Sequence, residues 1–171
     1  DAERMGSLDT RRTICRDDGQ CEFLPDVDHD SASNVSALED FAGIPADGNW
    51  QVCLSDNAKG DVGTVRSIGL GLRCQAEPIV EDVCQPVEVT PNRAIPDSPS
   101  AGTCVDIPVM VTGTVEDAAL RLELSHPFLG DLRAQLISPD PVTLTLLNRA
   151  GLPAARFGDT SNLLVSYPIE F

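Results

Sequence analysis

Trp50-Gln51-Val52-Cys53-Leu54-Ser55 alternates between apolar and polar side chains, which places its three apolar residues on one face of an extended segment. The same period of two returns at Ile68, Leu70 and Leu72. This period is typical of half-buried β-strands. The turn-rich residues 56–63 lie between the two runs, and they predict two strands that pair with each other across a long loop.

Further candidate strands fill the second half of the chain, each bounded by Gly, Pro, Asp or Asn. They are Val105–Val111, Leu120–Leu124, Leu132–Ile137 and Val142–Leu147, and the tail adds the short apolar run Leu163–Val165. Strands at intervals of about 8–12 residues without long helical segments are typical of a β-sandwich. The sequence therefore predicts an all-β fold, with a single helical turn over Ser36–Phe41, where Ser36 and Glu39 have capping-box spacing.

Charge and composition limit the classes of partner. The 171 residues carry a formal net charge of −15, and only 4% of them are aromatic. Such an acidic chain is a poor ligand for nucleic acid or for an anionic membrane surface, because it would repel the phosphates of both. The sequence also contains no apolar stretch of about 18 residues, so no membrane insertion is expected.

The even number of cysteines favours disulfides. The six residues are Cys15, Cys21, Cys53, Cys74, Cys84 and Cys104. Their spacing contains no CxxC ligand pair, which makes a zinc site the weaker interpretation. The favoured pair is Cys15–Cys21, which would close a short turn, and the other pairings stay open. Paired cysteines on an acidic chain predict an extracellular or cell-surface location.

Two groups of motifs resemble the P domain, the P/Homo B module found beside subtilisin-like proprotein convertases and in many bacterial secreted proteins. The first group comprises Leu38–Gly43, Gly48–Val52 and the run from Ser55 to Val65, which contains Gly60-Asp61-Val62-Gly63. The second group comprises Thr90–Asp97, Ser125–Leu132 and Leu136-Ile137-Ser138-Pro139. The resemblance covers about residues 36–74 and 90–150, and it implies a jelly-roll β-sandwich in a bacterial secreted protein.

The order of the two motif groups is unusual for this family. The closing half of the domain occupies residues 1–74, a proline-containing linker spans 75–89, and the opening half occupies 90–171. Three arrangements stay open: one period of a tandem array, a circular permutant that closes on itself, or a filament in which each half completes a neighbouring chain. A half sandwich alone would expose apolar faces and unpaired edge strands, so some completion is required.

Calcium is the expected cofactor. Ca²⁺ prefers several oxygen ligands on loops that can wrap around it, and the resemblance implies calcium binding in such loops. The candidate ligands are Asp56, Asp61, Asp131, Asp26, Asp28 and Asp30. The alternative is that these aspartates cap turns through their own backbone amides.

Catalysis is not expected. The chain has two histidines, His29 and His126, no G-x-S-x-G nucleophile elbow, and a resemblance to a module without catalytic residues. His126 is expected to hydrogen-bond a neighbouring strand or loop, and Trp50 to lie in the core. The leading functional hypothesis is a structural module that associates with other copies of itself in a fibre or adhesin array. The alternative is an accessory domain that stabilises a secreted subtilisin-like protease domain.

Overall fold

The computed structural model describes residues 3–4, 23–24, 37–75, 86–98, 101–149 and 163–165. Eleven β-strands lie in these ranges: β1 Glu3–Arg4, β2 Phe23–Leu24, β3 Gly48–Asp56, β4 Gly63–Gln75, β5 Val87–Val89, β6 Arg93–Ile95, β7 Gly102–Val109, β8 Thr114–His126, β9 Leu132–Ile137, β10 Thr143–Asn148 and β11 Leu163–Val165. Two short 3-10 helices, Leu38–Phe41 and Leu129–Asp131, complete the described part, which contains no α-helix. The predicted all-β class is confirmed.

Two antiparallel sheets form a β-sandwich. The four-stranded sheet has the order β10-β9-β3-β7. The five-stranded sheet has the order β11-β8-β4-β5, and β6 pairs with β4 on the same side as β5. A separate parallel pair joins β1 to β2. The jelly-roll connection pattern stays a prediction.

One hydrophobic core joins the two sheets. Trp50, Val52 and Leu54 on β3 are buried, and so are the alternating residues of β4 that the sequence indicated. The Trp50 indole nitrogen donates to the Ala46 carbonyl oxygen at 3.0 Å, and the ring packs edge-on against Phe41 at 5.2 Å. Trp50 is therefore a core residue, as predicted. Burial of an aromatic ring of this size contributes strongly to stability when its polar group keeps a hydrogen bond.

The predicted pairing of the first two long strands is wrong. β3 pairs with β7 and β9, whereas β4 pairs with β5, β6 and β8, so the two strands lie in different sheets. The loop after Asp56 crosses from one sheet to the other at one end of the sandwich instead of forming a hairpin. An alternating pattern shows which face of a strand is buried, but either sheet of a sandwich satisfies it equally well.

Strands from the two predicted half-domains pair within one chain. β3, from residues 1–74, lies between β7 and β9, and β4 lies between β8 and the short strands β5 and β6. Val87–Val89, at the end of the predicted 75–89 linker, forms β5. Each sheet thus has two inner strands, one from each segment: β3 with β9 in one sheet and β4 with β8 in the other. The exact domain boundaries stay a prediction.

Two smaller expectations concern the helical turn and the membrane. A 3-10 turn forms where one helical turn was predicted, and the Ala37 N–H donates to the Asp40 carboxylate at 2.9 Å. Ser36, the predicted capping residue, lies outside the described residues. In the part of the chain that the structure describes, no helix has the length and apolarity needed to cross a membrane.

Candidate functional site

A buried histidine–aspartate pair connects the two sheets at one end of the sandwich. β3 ends at Asp56 and β8 ends at His126, and the His126 Nε2 atom lies 3.4 Å from the Asp56 Oδ2 atom. Both side chains are fully buried, with 0% of their area exposed. The pair therefore provides a buried polar contact between the two sheets.

The second ring nitrogen of His126 is also engaged. Its Nδ1 atom lies 2.7 Å from the Phe128 carbonyl oxygen and 3.1 Å from the Phe128 amide nitrogen. The predicted role of His126, hydrogen bonding to a neighbouring strand or loop, is confirmed. Gly63 makes room for the ring, since a Cβ atom at this position would lie 2.6 Å from the His126 Cδ2 atom.

Hydrogen bonds within the loop after β3 and to two neighbouring segments hold this loop in place. Asp56 Oδ1 accepts the Ala58 N–H at 3.1 Å, so this aspartate caps the turn, as the alternative to metal binding predicted. Asn57 donates twice to the Asp131 carbonyl oxygen, from its backbone N–H at 2.8 Å and from its side-chain amide at 3.1 Å. Gly60 N–H donates to the Asp97 carboxylate, 3.2 and 3.1 Å from its two oxygens.

Asp131 lies beside this pair and is 8% exposed. Burial raises the pKa of its carboxyl group, and the charge of Asp56 raises it further. Arg149 and His126 act in the opposite direction, and Asp61 adds a smaller upward effect on the pKa. Arg149 also donates from Nε to the Gly130 carbonyl oxygen at 3.3 Å, which holds the short helix that carries Asp131.

Three of the six predicted calcium ligands are thus electrostatically coupled at one end of the sandwich. These are Asp56, Asp61 and Asp131. The other three, Asp26, Asp28 and Asp30, lie outside the described residues. Within the described ranges, no group of three or more His, Cys, Asp and Glu side chains has the arrangement of a metal site. Calcium binding here stays a prediction.

The two motif groups that carry the family resemblance meet at this site. Asp56, Asp61 and Gly63 come from the first group, and His126 and Asp131 come from the second. Sequence reasoning treated these residues separately, and it missed the His126–Asp56 contact, the Asn57 bridge and the role of Arg149. The available signal was the polar character of both motif groups, which favours structural contacts between them.

One disulfide joins the segments across a sheet. Cys53 on β3 and Cys104 on β7 are directly opposite each other in the ladder and are disulfide-bonded. Cys74 is disulfide-bonded as well. The favoured Cys15–Cys21 pair lies outside the described residues, so it stays a prediction.

A stretch in the second half of the chain matches a known family model. Residues 115–166 match the profile of the proprotein convertase P-domain. This P-domain stretch includes β8, with His126 at its end, the helix that carries Asp131, and strands of both sheets. The predicted resemblance is confirmed for these residues, whereas the permuted order of the halves stays a prediction.

A curated relative of the chain is leupeptin-inactivating enzyme 1 from Streptomyces exfoliatus. The two sequences are 32% identical over 90 residues, which is 50% of this chain and 19% of the enzyme. The chain therefore spans only about a fifth of the length of this relative. No solved structure matches the chain.

Proposed function

We propose that this chain is a non-catalytic, secreted P-domain module that stabilises an enzyme domain to which it is joined. The observation that carries the proposal is the P-domain match over residues 115–166, in a chain that is also similar to part of a larger enzyme. The enzyme domain, on this proposal, is a peptidase, since the family is described by its occurrence in proprotein convertases. The module acts by packing against that domain and raising its resistance to unfolding.

The geometry around His126 supports a structural role for the module. Both ring nitrogens are engaged, one at Phe128 and one at Asp56, and the side chain is fully buried. A general base must reach a proton on a substrate or nucleophile, which a ring in this position does not do. The contact instead joins the ends of β3 and β8.

Disulfide bonding supports a location outside the cytosol. Cys53–Cys104 and the bonded Cys74 are the kind of covalent link that forms in oxidising compartments. We propose that the module is extracellular and bacterial, consistent with the Streptomyces source of the relative. The enzyme domain, as part of the same polypeptide, would then also be extracellular.

The self-associating array is the less favoured hypothesis. In its filament form, each chain would supply half of a neighbouring sandwich. Here β3 and β4 find their strand partners within the same chain, so completion does not require a second copy. For this reason the accessory role is the function that we propose.

The test compares core variants within the full-length product of the gene. Ile107 and Trp50 are both fully buried, and we expect Ile107→Val to destabilise the module by about 1 kcal/mol and Trp50→Ala by about 3–5 kcal/mol. Enzyme activity, with leupeptin inactivation as one assay, should be lost at progressively lower temperatures in these variants. Activity at 25 °C should stay unchanged in Ile107→Val.

Two results would overturn the proposal. One is turnover of a peptide substrate by the isolated 171-residue chain. The other is an enzyme whose thermal inactivation does not respond when the module is destabilised. Val62→Ala is the control, because Val62 is 62% exposed and contributes little to the core.

We also propose that this module binds calcium at the aspartates Asp56, Asp61 and Asp131. Titration of calcium into EDTA-treated protein should release heat and raise the melting temperature, and Asp131→Asn should weaken both effects. Absence of heat together with an unchanged melting temperature would exclude this cofactor.

A further inference from the structure

The outer faces of the two sheets differ in chemistry. The five-stranded sheet carries ion pairs on its surface: Arg66–Glu123 at 3.8 Å, Arg73–Asp117 at 3.1 Å and Arg121–Glu88 at 3.8 Å. The β3–β7 half of the other sheet instead presents a surface with few charges, which we call the amide face. It consists of Asn49, Gln51, Asp106, Pro108 and Met110.

The side chains of the amide face are held in place by hydrogen bonds. Asn49 and Gln51 donate from their side-chain amides to the same oxygen of Asp106, Oδ1, at 2.9 and 2.7 Å. Bonds from Gln51 and then Asn49 lower the pKa of Asp106, with a smaller contribution from the charge of Arg93. Among the described residues, both amides bind Oδ1, which leaves Oδ2 to accept a bond from a partner. Fixed side chains lose less entropy when a partner binds.

An exposed apolar residue borders this polar cluster. Met110 directly follows β7 and is 89% exposed, the highest value among the large hydrophobic residues in the described ranges. Pro108, two residues earlier, is also exposed. Methionine is enriched at the centres of protein interfaces, where charged residues are depleted. The amide face combines both features.

The edge of β7 is closed to strand addition, so a partner must contact the face of the sheet. Arg93 donates from its guanidinium group to the Cys104 carbonyl oxygen at 2.8 Å. Pro108 has no N–H group to offer. A second copy that extended the sheet through β7 would have to displace the Arg93 hydrogen bond, and it would lack one backbone hydrogen bond at Pro108.

We propose that the amide face is the surface through which this module docks onto a second folded domain of its own polypeptide. The partner surface offers an apolar cleft for Met110 and a hydrogen-bond donor for Asp106. The chain has a net charge of −15, but this face has a single carboxylate, which lies near Arg93. A partner can therefore bury the face without leaving several charges unpaired. The inference rests on the proposed function.

Oxidation of Met110 by hydrogen peroxide tests the docking surface, because the rate follows the exposure of the thioether. The rate is measured by peptide mass spectrometry in the isolated 171-residue chain and in the full-length gene product. We expect oxidation of Met110 to be slower by a factor of about five or more in the full-length product. Met110→Glu should lower the inactivation temperature of the full-length enzyme, whereas Val62→Glu, at the other large exposed hydrophobic residue, should not.

The outcomes separate the two proposals. Equal oxidation rates of Met110, in an enzyme whose stability still responds to Trp50→Ala, would overturn docking through the amide face and leave the accessory function in place. Equal rates together with no response to Trp50→Ala would overturn both. Equal effects of Met110→Glu and Val62→Glu would also contradict docking through this face.

Discussion

At the scale of single residues, the buried pair His126–Asp56 is the most informative feature. Each side chain comes from the end of a different strand, in a different sheet, and neither is exposed to solvent. Removing one partner of such a pair leaves a buried polar or charged group without its contact, which usually costs more than the intact pair contributes. The pair therefore fixes the relative position of the two sheet ends.

We expect His126→Ala to lower the free energy of unfolding by about 3 kcal/mol. Asp56→Asn should cost less, since an amide keeps an oxygen for the Ala58 N–H. The double variant should be more stable than the sum of the two losses implies, because the second change no longer breaks an intact contact. Urea denaturation of the four proteins measures this coupling, and strictly additive losses would contradict it.

Two aspartates should give opposite pH dependences. The pKa of Asp106 is lowered from 3.8, so its stabilising effect is present above that value and is lost as the pH falls through the lowered pKa. The pKa of Asp131 is raised from 3.8, so its favourable contribution is greatest below that value and is lost as the pH rises through the raised pKa.

The corresponding variants test both signs. With falling pH, the stability deficit of Asp106→Asn relative to the parent should shrink. With rising pH, Asp131→Asn should gain stability relative to the parent. Unfolding midpoints in urea between about pH 3 and pH 7 provide the comparison. Parallel pH profiles for the two variants would contradict the assigned environments.

Residue-scale prediction from sequence succeeded where the signal is local. The burial of Trp50 follows from its place in an alternating run, and the turn-capping role of Asp56 follows from the chemistry of aspartate before a turn. The environment of Asp131 could not be predicted, because its neighbours Asp56 and Arg149 reach it only through the fold. Proximity of this kind depends on sheet topology, which the local pattern does not encode.

At the scale of elements, strand positions followed from the sequence better than strand partners did. The predicted Leu132–Ile137 coincides with β9, and Leu163–Val165 coincides with β11. β8, by contrast, extends well beyond the predicted Leu120–Leu124. The assignment of β3 and β4 to one hairpin was wrong, because burial alternates in the same way in either sheet.

The disulfide between β3 and β7 is the element-scale feature with the largest expected effect on stability. It links residues 51 positions apart, and its loss frees a long loop in the unfolded chain. We expect Cys53→Ser/Cys104→Ser to lower the free energy of unfolding by about 2–4 kcal/mol. Strand β7 should stay paired, since eight register pairs join it to β3.

Chemical denaturation and amide hydrogen exchange measure the two parts of this prediction. The double variant is preferable to a reducing agent, which would also reduce the bond at Cys74. In the folded double variant, loss of protection from hydrogen exchange along β7 would contradict the expectation that β7 stays paired with β3 without the disulfide. An unchanged unfolding free energy would contradict the stabilising role of the disulfide.

At the scale of the whole molecule, the central claim is that one chain completes its own sandwich. β3 and β4 lie inside the two sheets, where β3 pairs with β7 and β9 and β4 pairs with β8 from the second half of the chain. The His126–Asp56 contact and the Cys53–Cys104 bond each join one segment to the other. The order of the two motif groups predicted that some completion was needed, but three arrangements stayed open because sequence order does not reveal which chain supplies a partner strand.

The mass of the native 171-residue chain, measured by size-exclusion chromatography with light scattering, tests this claim most directly. A chain that pairs its own segments should elute as a single species of 18.2 kDa, at every protein concentration used. A chain whose halves complete different neighbours should give a dimer or a ladder of larger species with no stable monomer. We expect the single 18.2 kDa species, and a dimer or a ladder of larger species would show that the chain does not complete its own sandwich.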